Sequence, residues 1–130
     1  VRGGLQGNTH RLEDKQNFSM LLEELRNQLD VIDANGGDSL LTAAVPAGPN
    51  EYANIEMAAV AQQVDWLNLM TYDFYTSGSR ITGFGAPLYA SANDPSKDET
   101  TRTRYNADAA VKAYLAAGVP PNKLVLGVPF

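Results

Sequence analysis

Three short apolar runs dictate what this chain can fold into: LLTAAV at 40–45, VDWLNLMTY at 64–72 and KLVLGVPF at 123–130. Each is of strand length, and each follows a stretch that reads as a helix. In the first stretch Phe18, Leu21, Leu22, Leu25 and Leu29 recur at three- and four-residue spacing, with Glu23, Glu24, Arg26 and Asn27 off the stripe. NGGD at 35–38 ends it, because glycine supplies the backbone freedom of a sharp turn. A second helix is expected from Tyr52 to Gln62, carrying Ile55, Ala59 and Val60 on one side. A third is expected from Ala107 to Ala117, capped by Asn106 and ended by Gly118.

The order α-β-α-β-α-β, with strands apolar on both faces, is that of a parallel α/β sheet, either open or closed into an eight-fold barrel. A closed barrel takes about 250 residues, and this chain has 130. Three parallel strands alone would leave two long edges and a thin core. Val1 at one end and the apolar run to Phe130 at the other both read as cuts, so the chain reads as a segment of a larger enzyme.

Composition removes several function classes. A net charge of −5 argues against a nucleic-acid groove or an anionic membrane surface as partner. No apolar stretch approaches the roughly 20 residues of a membrane span. Cysteine is absent, which excludes disulfides, thiolate metal sites and cysteine nucleophiles. His10 is the only histidine, too few for a two-histidine metal site within this chain, and as a lone loop histidine it reads as solvated. Asp94, Asp98 and Glu99 lack the spacing of a calcium loop and read as charged surface. Asn17 opens the acceptor triplet NFS, but on a helix.

The second apolar run ends unusually. Side chains alternate along a strand, so Asn68, Met70 and Tyr72 share one face and Leu67, Leu69 and Thr71 the other. The leucines suit packing under helices. The amide, thioether and phenol suit the floor of a ligand site, and Asp73 follows at the carboxyl end, where α/β folds carry their chemistry. The plainer alternative stays open: a core tyrosine, with Asp73 capping the next loop. A loop of about thirty residues is then expected from Tyr75 to Tyr105. Its Tyr75, Arg80, Phe84 and Tyr89 are either faces for sugar rings or pins that hold the loop down.

The runs VDWLNLMTYDF, TGFGAPLY and YNADAAVKAYLAAGVPPNKLVLGVPF resemble a family 18 glycoside hydrolase of the bacterial chitinase type, as does GNTHRLEDKQNFSMLLEELRNQLD. The resemblance implies a fragment of one (β/α)8 TIM barrel, residues 1–130 supplying about strands 5 to 7. It implies retaining, substrate-assisted hydrolysis of β-1,4 links between N-acetylglucosamine units, in which the substrate's acetamido oxygen is the nucleophile. Tyr72 would then hold the acetamido carbonyl, Asp73 would bind the distorted sugar and tune the acid, and Met70 would pack beneath the ring. The glutamate that protonates the leaving oxygen would lie just upstream of VRGG, leaving this segment alone inactive. The implied partner is chitin or a chito-oligosaccharide, with no metal or other cofactor, no nucleic acid and no membrane. The implied setting is a monomeric secreted enzyme. One departure stands out: YTSGSR follows YDF where relatives often carry glycine and then tryptophan. A chitin-binding lectin of the same fold, an endo-N-acetylglucosaminidase and an autonomous α/β interaction module are the alternatives.

Overall fold

The computed structural model describes residues 7–130. Val1–Gln6, and with them the VRGG that the resemblance sets just past the acid-bearing strand, lie outside them. Helix α1 runs Asp14–Asp33, strand β1 Thr42–Pro46, helices α2 and α3 Pro49–Tyr52 and Met57–Gln63, and strand β2 Trp66–Met70. Helices α4 and α5, Glu99–Arg104 and Ala107–Ala116, precede a 3-10 turn at Pro121–Lys123 and strand β3, Leu124–Leu126. The three strands form one parallel sheet in the order β1-β2-β3.

Register explains the core. Ala43 pairs with Leu67 and Val45 with Leu69, while Leu67 and Leu69 pair with Leu124 and Leu126. Ala43, Val45, Leu67 and Leu69 are buried against Tyr52, Ile55, Val60, Val64 and Tyr114. The other face carries Thr42, Ala44, Trp66, Asn68, Met70 and Val125, all exposed or partly so. Helices therefore cover one face of the sheet among the described residues, not both as the apolar strands suggested. This is the geometry of a barrel wall, with helices outside and the bare face inward.

The expected elements are present, with shifted limits. Helix α1 buries only Leu22 fully, with Phe18 packed at the edge of the core, while Leu21 is 55% exposed and Leu25 39%. The expected Tyr52–Gln62 helix is two helices. The Asn54 amide donates to the carbonyls of Asn50 (2.7 Å) and Glu51 (3.3 Å), occupying acceptors that a continuing helix would use. Ile55 thereby drops into the core. The thirty-residue loop is also shorter than expected. Asp98 accepts from the Thr101 amide at 2.6 Å and hydroxyl at 2.8 Å, starting α4, whose last turn holds Arg102 and Arg104 opposite the helix dipole. These bonds hold the Asp98 carboxyl below its usual pKa.

Helix α5 is built as its sequence implied. Asn106 accepts from the Ala109 amide at 2.9 Å. At the other end Gly118 adopts φ +91°, its amide bonding Leu115 and that of Val119 bonding Tyr114, a double bond pattern that closes a helix with a left-handed residue. The Lys123 ammonium donates to the carbonyls of Ala61 (2.8 Å) and Val64 (2.7 Å), tying the base of β3 to the end of α3. At the same end of the sheet, Arg26 reaches the Ser39 carbonyl at 2.8 Å and Asp65 at 3.5 Å. Asp65 in turn accepts from the Leu41 amide at 2.7 Å. These charges lie at the amino ends of the strands, where barrels keep stability and not chemistry.

Tyr114 joins α5 to the far end of β1. Its ring is fully buried, edge-on to Tyr52 at 5.9 Å, and its hydroxyl donates to the Pro46 carbonyl at 2.9 Å. Burial first, and the neighbouring Tyr52 second, push its phenol well above the usual tyrosine range. The native state thus keeps this proton where the unfolded chain releases it, so the associated stability is complete below about pH 10 and is lost as pH rises beyond it. Tyr114→Phe should cost about 1 kcal/mol in urea unfolding at pH 7, the worth of a typical buried hydrogen bond. Above pH 10 the variant's stability should fall less steeply than the parent's.

Candidate active site

The site begins where β1 and β2 end. Strand β2 stops at Met70 because the Leu69 carbonyl accepts two amides, Thr71 from just past its own strand and Gly127 from just past β3, each at 2.9 Å. The Thr71 hydroxyl closes the same seam on the Gly127 carbonyl at 2.6 Å. Thr71 is buried, so the chain turns outward after it and delivers Tyr72, Asp73 and Phe74 above the strand end. Glycine is required at 127: a Cβ there would stand 2.8 Å from Tyr72 Cε1. The Tyr72 ring lies on that bare backbone.

Asp73 has φ +59°, the left-handed region, and is the one non-glycine residue with positive φ among the described residues. Aspartate tolerates this conformation better than most, but it still stores strain, and such strain gathers at functional sites. Its carboxylate is exposed.

A cavity of about 300 Å³ opens at these strand ends, lined by Met70, Tyr72, Asp73 and Phe74 from β2 and its continuation. Pro46, Ala47 and Gly48 line it from the end of β1, Glu51 from α2 and Tyr105 from the end of α4. The volume lies at the small end of the usual range of ligand pockets. Its walls are apolar except for Tyr72 with Asp73 and Glu51 with Tyr105. The Tyr105 ring meets Phe74 edge-on at 6.0 Å. The Asn50 amide donates to its hydroxyl at 3.2 Å, and that hydroxyl donates to Glu51 at 3.4 Å. Burial, then the Glu51 carboxylate, push the Tyr105 phenol above its ordinary pKa.

The three residues singled out from sequence, Met70, Tyr72 and Asp73, therefore meet in one cavity. Asn68, expected beside them, does not line it and instead accepts from the Trp66 indole at 3.2 Å. The loop aromatics are elsewhere too. Tyr75 lies against Gly83 and donates to Asp94 at 2.7 Å, which pins the loop, while Phe84 and Tyr89 are exposed. Burial and that carboxylate raise the Tyr75 pKa. The sequence reading missed Phe74, Glu51 and Tyr105, which reach the cavity from three elements; no spacing in the sequence connects them.

The acidic residues of the loop have structural duties, Asp94 on Tyr75 and the Ser96 amide, Asp98 as a cap. Among the described residues no group of three His, Cys, Asp or Glu side chains is arranged to hold a metal. His10 is exposed, beside a surface cavity of about 240 Å³. Asn17 is on α1 as expected, and no helix of the described residues is long and apolar enough to cross a membrane.

Known proteins share this architecture. The chain is 44% identical to Chitinase A1 of Niallia circulans over all of its own length, and spans 19% of that protein. Among solved structures, chitinase ChiA74 from Bacillus thuringiensis superposes with a TM-score of 0.89 at 40% identity, over 98% of this chain and 20% of that one. The Ostrinia furnacalis Group IV chitinase in complex with allosamidin superposes at 0.81 with 39% identity, over 97% and 32% respectively. These structural neighbours are TIM barrels, and the three-stranded parallel sheet with its outer helices is consistent with part of one. The sequence profile described as "Glycosyl hydrolases family 18" matches residues 5–130, and this chain belongs to that family.

Proposed function

We propose that the chain forms part of a chitinase that hydrolyses β-1,4 links between N-acetylglucosamine units, with β1, β2 and β3 as strands five, six and seven of its barrel. The observation that carries the reading is the meeting of Met70, Tyr72 and Asp73 in one cavity at the carboxyl ends of the strands of a family 18 chain. The relatives' names support the substrate class.

The chemistry follows from what the cavity offers. The Tyr72 hydroxyl is a donor that can hold an acetamido carbonyl in line with the anomeric carbon, so that attack becomes intramolecular. An exposed carboxylate at Asp73 favours the positive charge that develops as the leaving oxygen departs. Met70 supplies a polarisable apolar floor for the ring. Substrate-assisted attack of this kind retains the anomeric configuration. The leaving-group proton comes, in this reading, from a glutamate outside these 130 residues, so that the segment by itself turns nothing over. The enzyme is secreted, and its partner is chitin or a chito-oligosaccharide.

The full-length protein should cleave a fluorogenic chitobioside, with the β-anomer appearing first by NMR. Tyr72→Phe should lower kcat/KM by about 10²–10³-fold, the usual loss of one preorganised donor. Binding of chito-oligosaccharide without turnover would favour a lectin, and cleavage restricted to glycoprotein cores an endo-N-acetylglucosaminidase.

A second outcome separates function from stability at Asp73. Replacement by glycine removes the left-handed strain and should stabilise the fold by about 1 kcal/mol. The same Asp73→Gly change should abolish most turnover, since the carboxylate goes with it. Chemical denaturation and the chitobioside assay, run on one preparation, check both.

A further inference from the structure

Beneath the cavity, β2 and β3 are joined beyond their ends by a side chain. In their register Leu69 stands opposite Leu126. One pair further, a parallel ladder would bond the Gly127 amide to the Leu69 carbonyl and the Thr71 amide to the Gly127 carbonyl. The first of these bonds forms, at 2.9 Å. The Thr71 amide has instead turned back to Leu69, and the Thr71 hydroxyl takes its place on the Gly127 carbonyl at 2.6 Å. A hydroxyl thus completes the ladder that the backbone has left. Thr71 is 2% exposed, and a valine of the same shape would fill its site but could not donate.

Gly127 is also the seat of Tyr72. A Cβ at 127 would stand 2.8 Å from Tyr72 Cε1, so the ring lies directly on this stretch of backbone. A phenol hydroxyl is carried rigidly by its ring, and a shift of Gly127 is therefore passed on to it.

We propose that Thr71 is a positioning residue for Tyr72. Its hydroxyl holds Gly127 to β2, and Gly127 sets the height of the ring and with it the place of the Tyr72 hydroxyl in the cavity. Thr71 does not line that cavity, so it acts through Tyr72. The proposal rests on the reading of Tyr72 as the acetamido donor and deepens it.

The test is a double-mutant cycle in the full-length protein, assayed on a fluorogenic chitobioside. Thr71→Val should lower kcat/KM by about 10–100-fold, the loss for a donor misplaced by up to about 1 Å. Thr71→Ser, which can still donate, should recover most of it. In a Tyr72→Phe background Thr71→Val should cost no more than about twofold, because the hydroxyl it positions is gone. An equal loss in both backgrounds would overturn the proposal, since a role in the fold alone is felt with either residue at 72. Unchanged kcat/KM in Thr71→Val, or a Thr71→Ser variant as impaired as Thr71→Val, would overturn it too. Should Thr71→Val fail to fold, Thr71→Cys, with a thiol that donates only weakly, carries the same cycle with a smaller loss. If the parent turns over no chitobioside, the catalytic reading fails and calorimetric titration with chitobiose replaces the assay. A loss of affinity in Thr71→Val that vanishes with Tyr72→Phe then supports the positioning role. Equal losses in both backgrounds overturn it, and absence of binding overturns both.

Discussion

One carbonyl governs the upper end of this sheet. Leu69 accepts the amides of both Thr71 and Gly127, so β2 cannot continue and β3 is locked to it at the same level. Everything that lines the cavity from β2 follows from that stop. Had the strand run on, Asp73 would have had no reason to adopt a left-handed backbone. The double acceptance depends on Gly127, whose lack of a side chain admits both the Leu69 carbonyl and the Tyr72 ring.

The opposite wall is fixed by burial. Tyr114 is anchored in the core and holds the Pro46 carbonyl, which sets where β1 ends and α2 begins. From there Gly48 leaves room for the Tyr105 ring, whose Cε1 would be 2.9 Å from any Cβ added at that glycine. Three elements distant in sequence thus converge: the ends of β1 and β2, and the residue before the α5 cap. The charged network of Arg26, Ser39 and Asp65 does its work at the other end of the strands. The division, with the charged network at the amino ends of the strands and the cavity at their carboxyl ends, is consistent with part of a barrel.

The sequence made the strands and the Met70, Tyr72, Asp73 cluster legible because period-two alternation and helix spacing are local signals. Asn106 and Gly118 were equally readable, since a cap and a left-handed stop each declare themselves within a few residues. What escaped was non-local or depended on one competing side chain. Asn54 split a helix by taking its neighbours' carbonyls, and Asp98 started one inside an expected loop. The sequence offers Tyr75 as a loop aromatic for the site and Tyr105 only as the end of the loop. Only the fold shows the first tied to Asp94 and the second beside Glu51.

The central claim is that the cavity above β1 and β2 receives an N-acetylated sugar. A crystal structure of the full-length protein soaked with an N-acetylglucosamine oligomer tests it most directly. The account predicts a ring over Met70 with its acetamido group between the Tyr72 hydroxyl and the Asp73 carboxylate. Sugar bound elsewhere with this cavity empty, or bound here with the acetamido group turned away from both residues, would contradict it.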